Sequence, residues 1–186
     1  NHKVIYEDTL NAHNGPNDLW IDAKNGIYFT DPLYVRNYWK RDSISKRNGK
    51  NVYYLSSDRK LIITVDDNLV QPNGIIGTPD GKKLYVADIG DGKTYAYAIQ
   101  KDATLSNRKI FCEMGSDGMT VDNQGNVYLT GNGVHVFDKN GKKIAYIPVP
   151  ESWTANVCFG GKNLDILFIT AMDSVYGLKM NVKGVR

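Results

Sequence analysis

Pro16-Asn17-Asp18-Leu19-Trp20, Pro72-Asn73-Gly74-Ile75-Ile76 and Ser116-Asp117-Gly118-Met119-Thr120 are three versions of one segment. In each, an Asn or Asp stands just ahead of a short apolar run, and a turn with Gly26, Gly81 or Gly125 follows. A second apolar run comes next: Ile27-Tyr28-Phe29-Thr30, Leu84-Tyr85-Val86-Ala87 and Asn126-Val127-Tyr128-Leu129. Short strands repeated at roughly 40–55 residues are the signature of propeller blades, each of which buries its faces by stacking on its neighbours.

Working outward, the first repeat covers about residues 14–68, with strands expected over 19–22, 27–30, 52–55 and 61–65. The second covers about 70–113, with strands over 74–78, 84–88, 93–98 and 108–112. The third covers about 115–150, with strands over 118–121, 126–129, 134–137 and 144–148, and Asn140-Gly141 is a strong hairpin turn. A fourth opens at Thr154-Ala155-Asn156-Val157-Cys158-Phe159, turns at Gly160-Gly161, and continues through 166–170 and 175–180. Residues 3–6 form a lone strand ahead of these. The fold class expected is all-β, a β-propeller with an incomplete set of about four blades, residues 1–186 forming one partial propeller domain. Propellers close with about four to eight blades. The chain therefore reads as the C-terminal two-thirds of a larger propeller, and a four-bladed ring closed by 3–6 is the alternative.

Composition sets the outer bounds. The chain is 41% hydrophobic and 23% charged, and its net charge of +3 is too small, and too scattered over turns, to argue for nucleic acid. Eighteen Gly and twelve Tyr favour strands and tight turns over helices. No stretch has the length of a membrane span, so no membrane partner is expected. The chain begins at Asn1 with no signal segment, which leaves room for an upstream leader. The compartment stays open: cytoplasmic, or periplasmic or secreted with such a leader. Cys112 and Cys158 lie far apart, each in an apolar strand, and read as buried free thiols.

Between the second and third strands of the first repeat lies an insertion, 32–50, far longer than ordinary hairpin loops of about 2–5 residues. It carries Tyr34, Tyr38 and Trp39 among Arg36, Lys40, Arg41, Lys46, Arg47 and Lys50. Aromatics among cations suit a lid over a polar or anionic ligand. A solvated excursion pinned by Trp39 is the other reading.

In a propeller the first strand of each blade lines the central channel, so a polar residue just before it sits at one mouth. Asn17, Asn73 and Asp117 would converge there, and their oxygens suit Ca2+ or a similar hard cation. In the fourth repeat the equivalent position is Ala155. Each such residue could instead merely hydrogen-bond turn backbone. No rival catalytic set appears: there is no G-x-S-x-G elbow, and His2, His13 and His135 have no ligand spacing.

Six ordered segments carry a more specific resemblance: Gly15-Pro16-Asn17-Asp18, Tyr28-Phe29-Thr30-Asp31-Pro32, Gln71-Pro72-Asn73-Gly74, Pro79-Asp80-Gly81 running on to Asp88, Ser116-Asp117-Gly118-Met119, and Asn156-Val157-Cys158-Phe159-Gly160-Gly161. From about residue 3 onward the chain resembles the gluconolactonase / senescence marker protein (regucalcin) family of six-bladed propellers. The resemblance implies metal-dependent hydrolysis of sugar lactones. It implies a divalent cation, Ca2+ first and Zn2+ or Mg2+ as alternatives, with Asn73 and Asp117 as ligands and Asn17 as ligand or substrate contact. Asp117 would also be the general base, and Trp39 is a further candidate for substrate contact. The family's early Glu ligand belongs to a blade absent from these residues, which puts the activity of this chain alone in doubt. Another chain is one source of the missing blades. Two other readings remain: an esterase or phosphotriesterase on the same site, and a non-catalytic binding propeller with a structural metal. Hydrolysis of a lactone, an aryl ester or neither would separate them.

Overall fold

The computed structural model describes residues 4, 6, 13–38 and 49–185. Among them are fifteen strands: β1 Leu19–Ile21, β2 Ile27–Asp31, β3 Asn51–Leu55, β4 Ile62–Asp66, β5 Pro72–Gly77, β6 Lys83–Asp88, β7 Lys93–Ile99, β8 Leu105–Cys112, β9 Met119–Val121, β10 Val127–Gly131, β11 Gly133–Phe137, β12 Lys143–Ile147, β13 Thr154–Gly160, β14 Ile166–Ala171 and β15 Ser174–Lys179. They form four antiparallel sheets in sequence order, β1–β4, β5–β8, β9–β12 and β13–β15. The all-β, four-blade arrangement expected from the repeat is what the chain adopts. Of the lone strand expected over 3–6, only residues 4 and 6 are described, and neither lies in a strand.

Hairpins inside the first three blades close on Asp side chains. Asp22 Oδ1 accepts the N–H groups of Lys24 and Gly26, and Asp122 Oδ1 those of Gln124 and Asn126. The residue that completes each turn takes positive φ, Asn25 at 64° and Gly125 at 84°. Asn tolerates that left-handed region and Gly enters it freely, which is why these residues mark the turns in the sequence.

Strand alternation then sends successive side chains to opposite faces, and each face packs on a neighbouring blade. Tyr28 meets Leu84 and Val86 between the first two blades. Tyr85 and Ala87 meet Val127 and Leu129 between the next two, and Tyr128 meets Leu167 and Ile169 between the last two. Fully burying such an aliphatic side chain is worth about 1.5–3 kcal/mol. The buried tyrosines satisfy their hydroxyls locally: Tyr28 donates to Ala103 O at 2.9 Å and Tyr128 to Asp122 Oδ2 at 3.0 Å.

The fourth blade breaks this symmetry. Phe168 and Thr170 stand where Tyr128 and Thr130 stand in the third, yet among the described residues no sheet follows to cover them, and both are exposed. Cys158 pairs across from Phe168 on that same outer face and is exposed too. The expectation of two buried thiols therefore holds for Cys112 and fails for Cys158. An apolar strand was read correctly, but burial of its second face depends on a neighbour that the strand itself does not specify.

Candidate functional site

The first strands of successive blades lie beside one another, β1 with β5, β5 with β9 and β9 with β13, and the segments that enter the first two are held by acidic caps. Asp31, at the end of β2, accepts Asn14 N at 3.0 Å and Gly15 N at 2.8 Å. Asp88, at the end of β6, accepts Val70 N and Gln71 N, both at 2.7 Å. The recurring Tyr-x-Thr/Ala-Asp run thus anchors the Pro-Asn segment that precedes it in the same blade.

Asn73 and Ala155 do not precede their strands but sit in irregularities within them. In β5 the pairing passes from Pro72↔Asp88 to Ile75↔Val86, and in β13 from Thr154↔Ala171 to Asn156↔Thr170. Such bulges re-aim a side chain out of the ladder.

Neighbouring blades approach very closely at this end. Gly74 N donates to Ser116 O at 3.2 Å, and a Cβ built on Gly74 would lie 2.7 Å from the main-chain oxygen of Asp117. A Cβ on Gly118 would lie 2.2 Å from Asn156 Oδ1. The glycines after Asn73 and Asp117 are therefore required by the packing of one blade on the next. Thr30 and Thr130 complete the junctions. Thr30 Oγ1 donates to Asn73 O at 2.8 Å, and Thr130 Oγ1 lies 3.3 Å from Ala155 O.

Asn73 is only 2% exposed. Its Nδ2 donates to the Tyr34 hydroxyl at 2.6 Å, while its Oδ1 is buried without a hydrogen-bond partner among the described residues. Leaving such an acceptor unpaired costs about 1–3 kcal/mol, so an orphaned amide oxygen marks a place for a ligand. Asp117 is half-buried, and its Oδ2 accepts the indole N–H of Trp153 at 3.3 Å. Asn17 is exposed; its main-chain N–H donates to Thr30 O at 2.9 Å, which links it through Thr30 to Asn73. Trp39 lies outside the described residues.

Three residues that sequence reasoning did not place belong here. Asp18 stands where the other repeats have Gly74 and Gly118. Burial pushes its carboxyl up to about 6, and the charge of Asp117 adds to this, against the pull of N–H groups from Ile75 and Leu19. A charged residue in a glycine position was the available signal. Tyr34 reaches Asn73 from the base of the insertion, with the Arg36 guanidinium 5.7 Å from its ring centroid. Burial raises the Tyr34 phenol, while hydrogen bonds from Asn73 and Gln71 pull the other way and the field of Asp117 raises it further. Trp153 comes from the loop between the third and fourth blades, and nothing local in the sequence pointed to it.

The amide oxygen of Asn73 and the carboxylate of Asp117 are hard donors, of the kind that suits an oxygen-seeking cation such as Ca2+ and not a soft metal. Among the described residues no cluster of three or more His, Cys, Asp or Glu forms a ready-made cage. The remaining coordination would fall to Asn17, water or substrate. No helix among the described residues is long and apolar enough to cross a membrane.

Residues 2–173 match the family model described as the SMP-30/gluconolactonase/LRE-like region. The chain is 30% identical over 186 residues to a gluconolactonase of Zymomonas mobilis, covering 92% of this chain and 52% of that protein. Among solved structures, a gluconolactonase of Xanthomonas campestris superposes with a TM-score of 0.83 at 29% identity, over 96% of this chain and 61% of that one. Regucalcin of Agrobacterium tumefaciens, a calcium-binding protein, shares the fold at a TM-score of 0.75 and 18% identity, over 91% of this chain and 62% of that one. The chain spans about half the length of the curated relatives it matches.

Proposed function

Because this chain belongs to the SMP-30/gluconolactonase/LRE-like family, we propose that its channel mouth is the site of metal-dependent hydrolysis of a sugar lactone. The observation that carries the reading is the buried Oδ1 of Asn73, unpartnered among the described residues, on a segment whose Gly74 N–H reaches Ser116 O, next to Asp117. These two would hold a divalent cation, Ca2+ by the hardness of the donors, with Asn17 as a further ligand or a contact to a sugar hydroxyl. The bound cation would supply polarisation of the lactone carbonyl.

Asp117 is the general base. The Trp153 indole holds its Oδ2 and leaves Oδ1 to take a proton from water. That water adds its oxygen to the carbonyl carbon, and the ring C–O bond breaks as Asp117 returns the proton to the departing ring oxygen. The product is the open hydroxy acid. Trp39 is assigned to the substrate side of the mouth.

The test is Ca2+ calorimetry and hydrolysis of glucono-δ-lactone by the 186-residue chain, with Asn73→Ala and Asp117→Ala as comparators. Binding that disappears in both variants, with turnover lost in Asp117→Ala, is the expected result. Undiminished Ca2+ binding by either variant would remove these ligands, and lactone turnover retained by Asp117→Ala would remove the base.

A further inference from the structure

Asn73 can serve a cation only through one end of its amide. The oxygen accepts and ligates, whereas the NH2 donates and repels positive charge, and the two ends are almost identical in shape. What distinguishes them is the partner each finds. In this chain the NH2 end is taken by the Tyr34 hydroxyl at 2.6 Å, and the oxygen end is buried with no hydrogen-bond partner among the described residues.

Tyr34 is itself well fixed for that task. Gln71 Nε2 donates to the neighbouring Leu33 O at 3.1 Å, which ties the segment carrying Tyr34 to the start of β5. Arg36 lies over the ring, 5.7 Å from its centroid. The phenol oxygen accepts from the Asn73 NH2 and so holds that end in place.

We propose that Tyr34 is a positioning residue: it holds the nitrogen end of Asn73 and thereby turns the amide oxygen toward the mouth as the atom a cation meets. The purpose of this arrangement rests on the metal-site reading above; the hydrogen bond itself does not. It also ties the site to the insertion 32–50, since moving Tyr34 would release Asn73 to present its NH2 instead. Partners that orient ligating groups are worth about 10–100-fold in metal affinity.

The test uses Tyr34→Phe in the 186-residue chain, alone and combined with Asn73→Asp. A carboxylate has an oxygen at both ends, so it needs no such orientation. Tyr34→Phe is expected to weaken Ca2+ binding by about 10-fold or more in the Asn73 chain, and by less than about threefold in the Asn73→Asp chain. Without Ca2+, Tyr34→Phe should shift the 15N side-chain amide signals of Asn73 and speed their exchange with solvent, while thermal unfolding stays a single cooperative transition. Asn73 amide signals that do not change overturn the proposal, as does an equal loss of Ca2+ affinity in both backgrounds. A parent chain that binds no Ca2+ sinks the metal-site reading, while the amide signals still decide the role of Tyr34.

Discussion

Asp18 Oδ2 in the first blade accepts the backbone N–H of Ile75 in the second at 3.1 Å. This carboxylate is an inter-blade tie with its charge partly out of water, which is why burial lifts it from 3.8 to about 6. Between those values the folded chain binds the proton and the unfolded chain does not. Stability contributed by this group is therefore greatest below about pH 4 and falls as pH rises toward 6. Asp18→Asn should remove that slope. Comparing denaturant midpoints at pH 4 and 7, the variant should gain up to about 3 kcal/mol relative to the parent as pH rises. Parallel pH profiles for the two proteins would mean that Asp18 titrates normally.

Thr130 and Thr170 occupy the same position in successive blades but have different work. Thr130 Oγ1 accepts Gly118 N at 2.9 Å and also reaches Ala155 O of the next blade, fully buried. Thr170 Oγ1 serves only Asn156 of its own blade and is exposed. Thr130→Val should cost about 1–3 kcal/mol by stranding buried polar groups. Thr170→Val should cost less than about 1 kcal/mol, because water replaces the lost partner. Similar losses in urea unfolding would refute a cross-blade role for Thr130.

Gly118→Ala should be poorly tolerated, since its Cβ would fall 2.8 Å from the Asn156 Cα as well as on its side chain. Relief requires moving one blade against another, at about 1–3 kcal/mol. Gly177→Ala is the matching control: it lies in an exposed strand and its Cβ would meet only Ile166 at 3.7 Å. A melting temperature lowered by the first change and unaltered by the second is the expected pattern. Equal shifts would argue against the close approach at Gly118.

The two thiols should behave differently. Burial pushes Cys112 up to about 11, so the reactive thiolate is scarce at neutral pH and the sulfur is hard to reach. Cys158 is exposed. A maleimide at pH 7.5 should label Cys158 within minutes in the folded chain and Cys112 only after denaturation. Simultaneous labelling of both would show that the junction between the second and third blades opens readily.

The sequence by itself determined the blades. Period-two alternation, Asp-anchored turns and the spacing of the three Asx segments place nearly every strand within a residue or two, because strand direction, facing and turn geometry are set by neighbours in the chain. It also put Asn17, Asn73 and Asp117 in register. What it could not determine is how deeply each is buried and what it touches, since those depend on segments far apart in the chain. Asn17 and Asn73 look alike in sequence, yet one is exposed and the other is 2% exposed, its amide held by a tyrosine from the insertion. Asp18 became an inter-blade tie, and Trp153 reached Asp117 from 36 residues away. Cys158 stayed in solvent because burial of a strand's second face requires another sheet, and only the tertiary structure decides whether one is there.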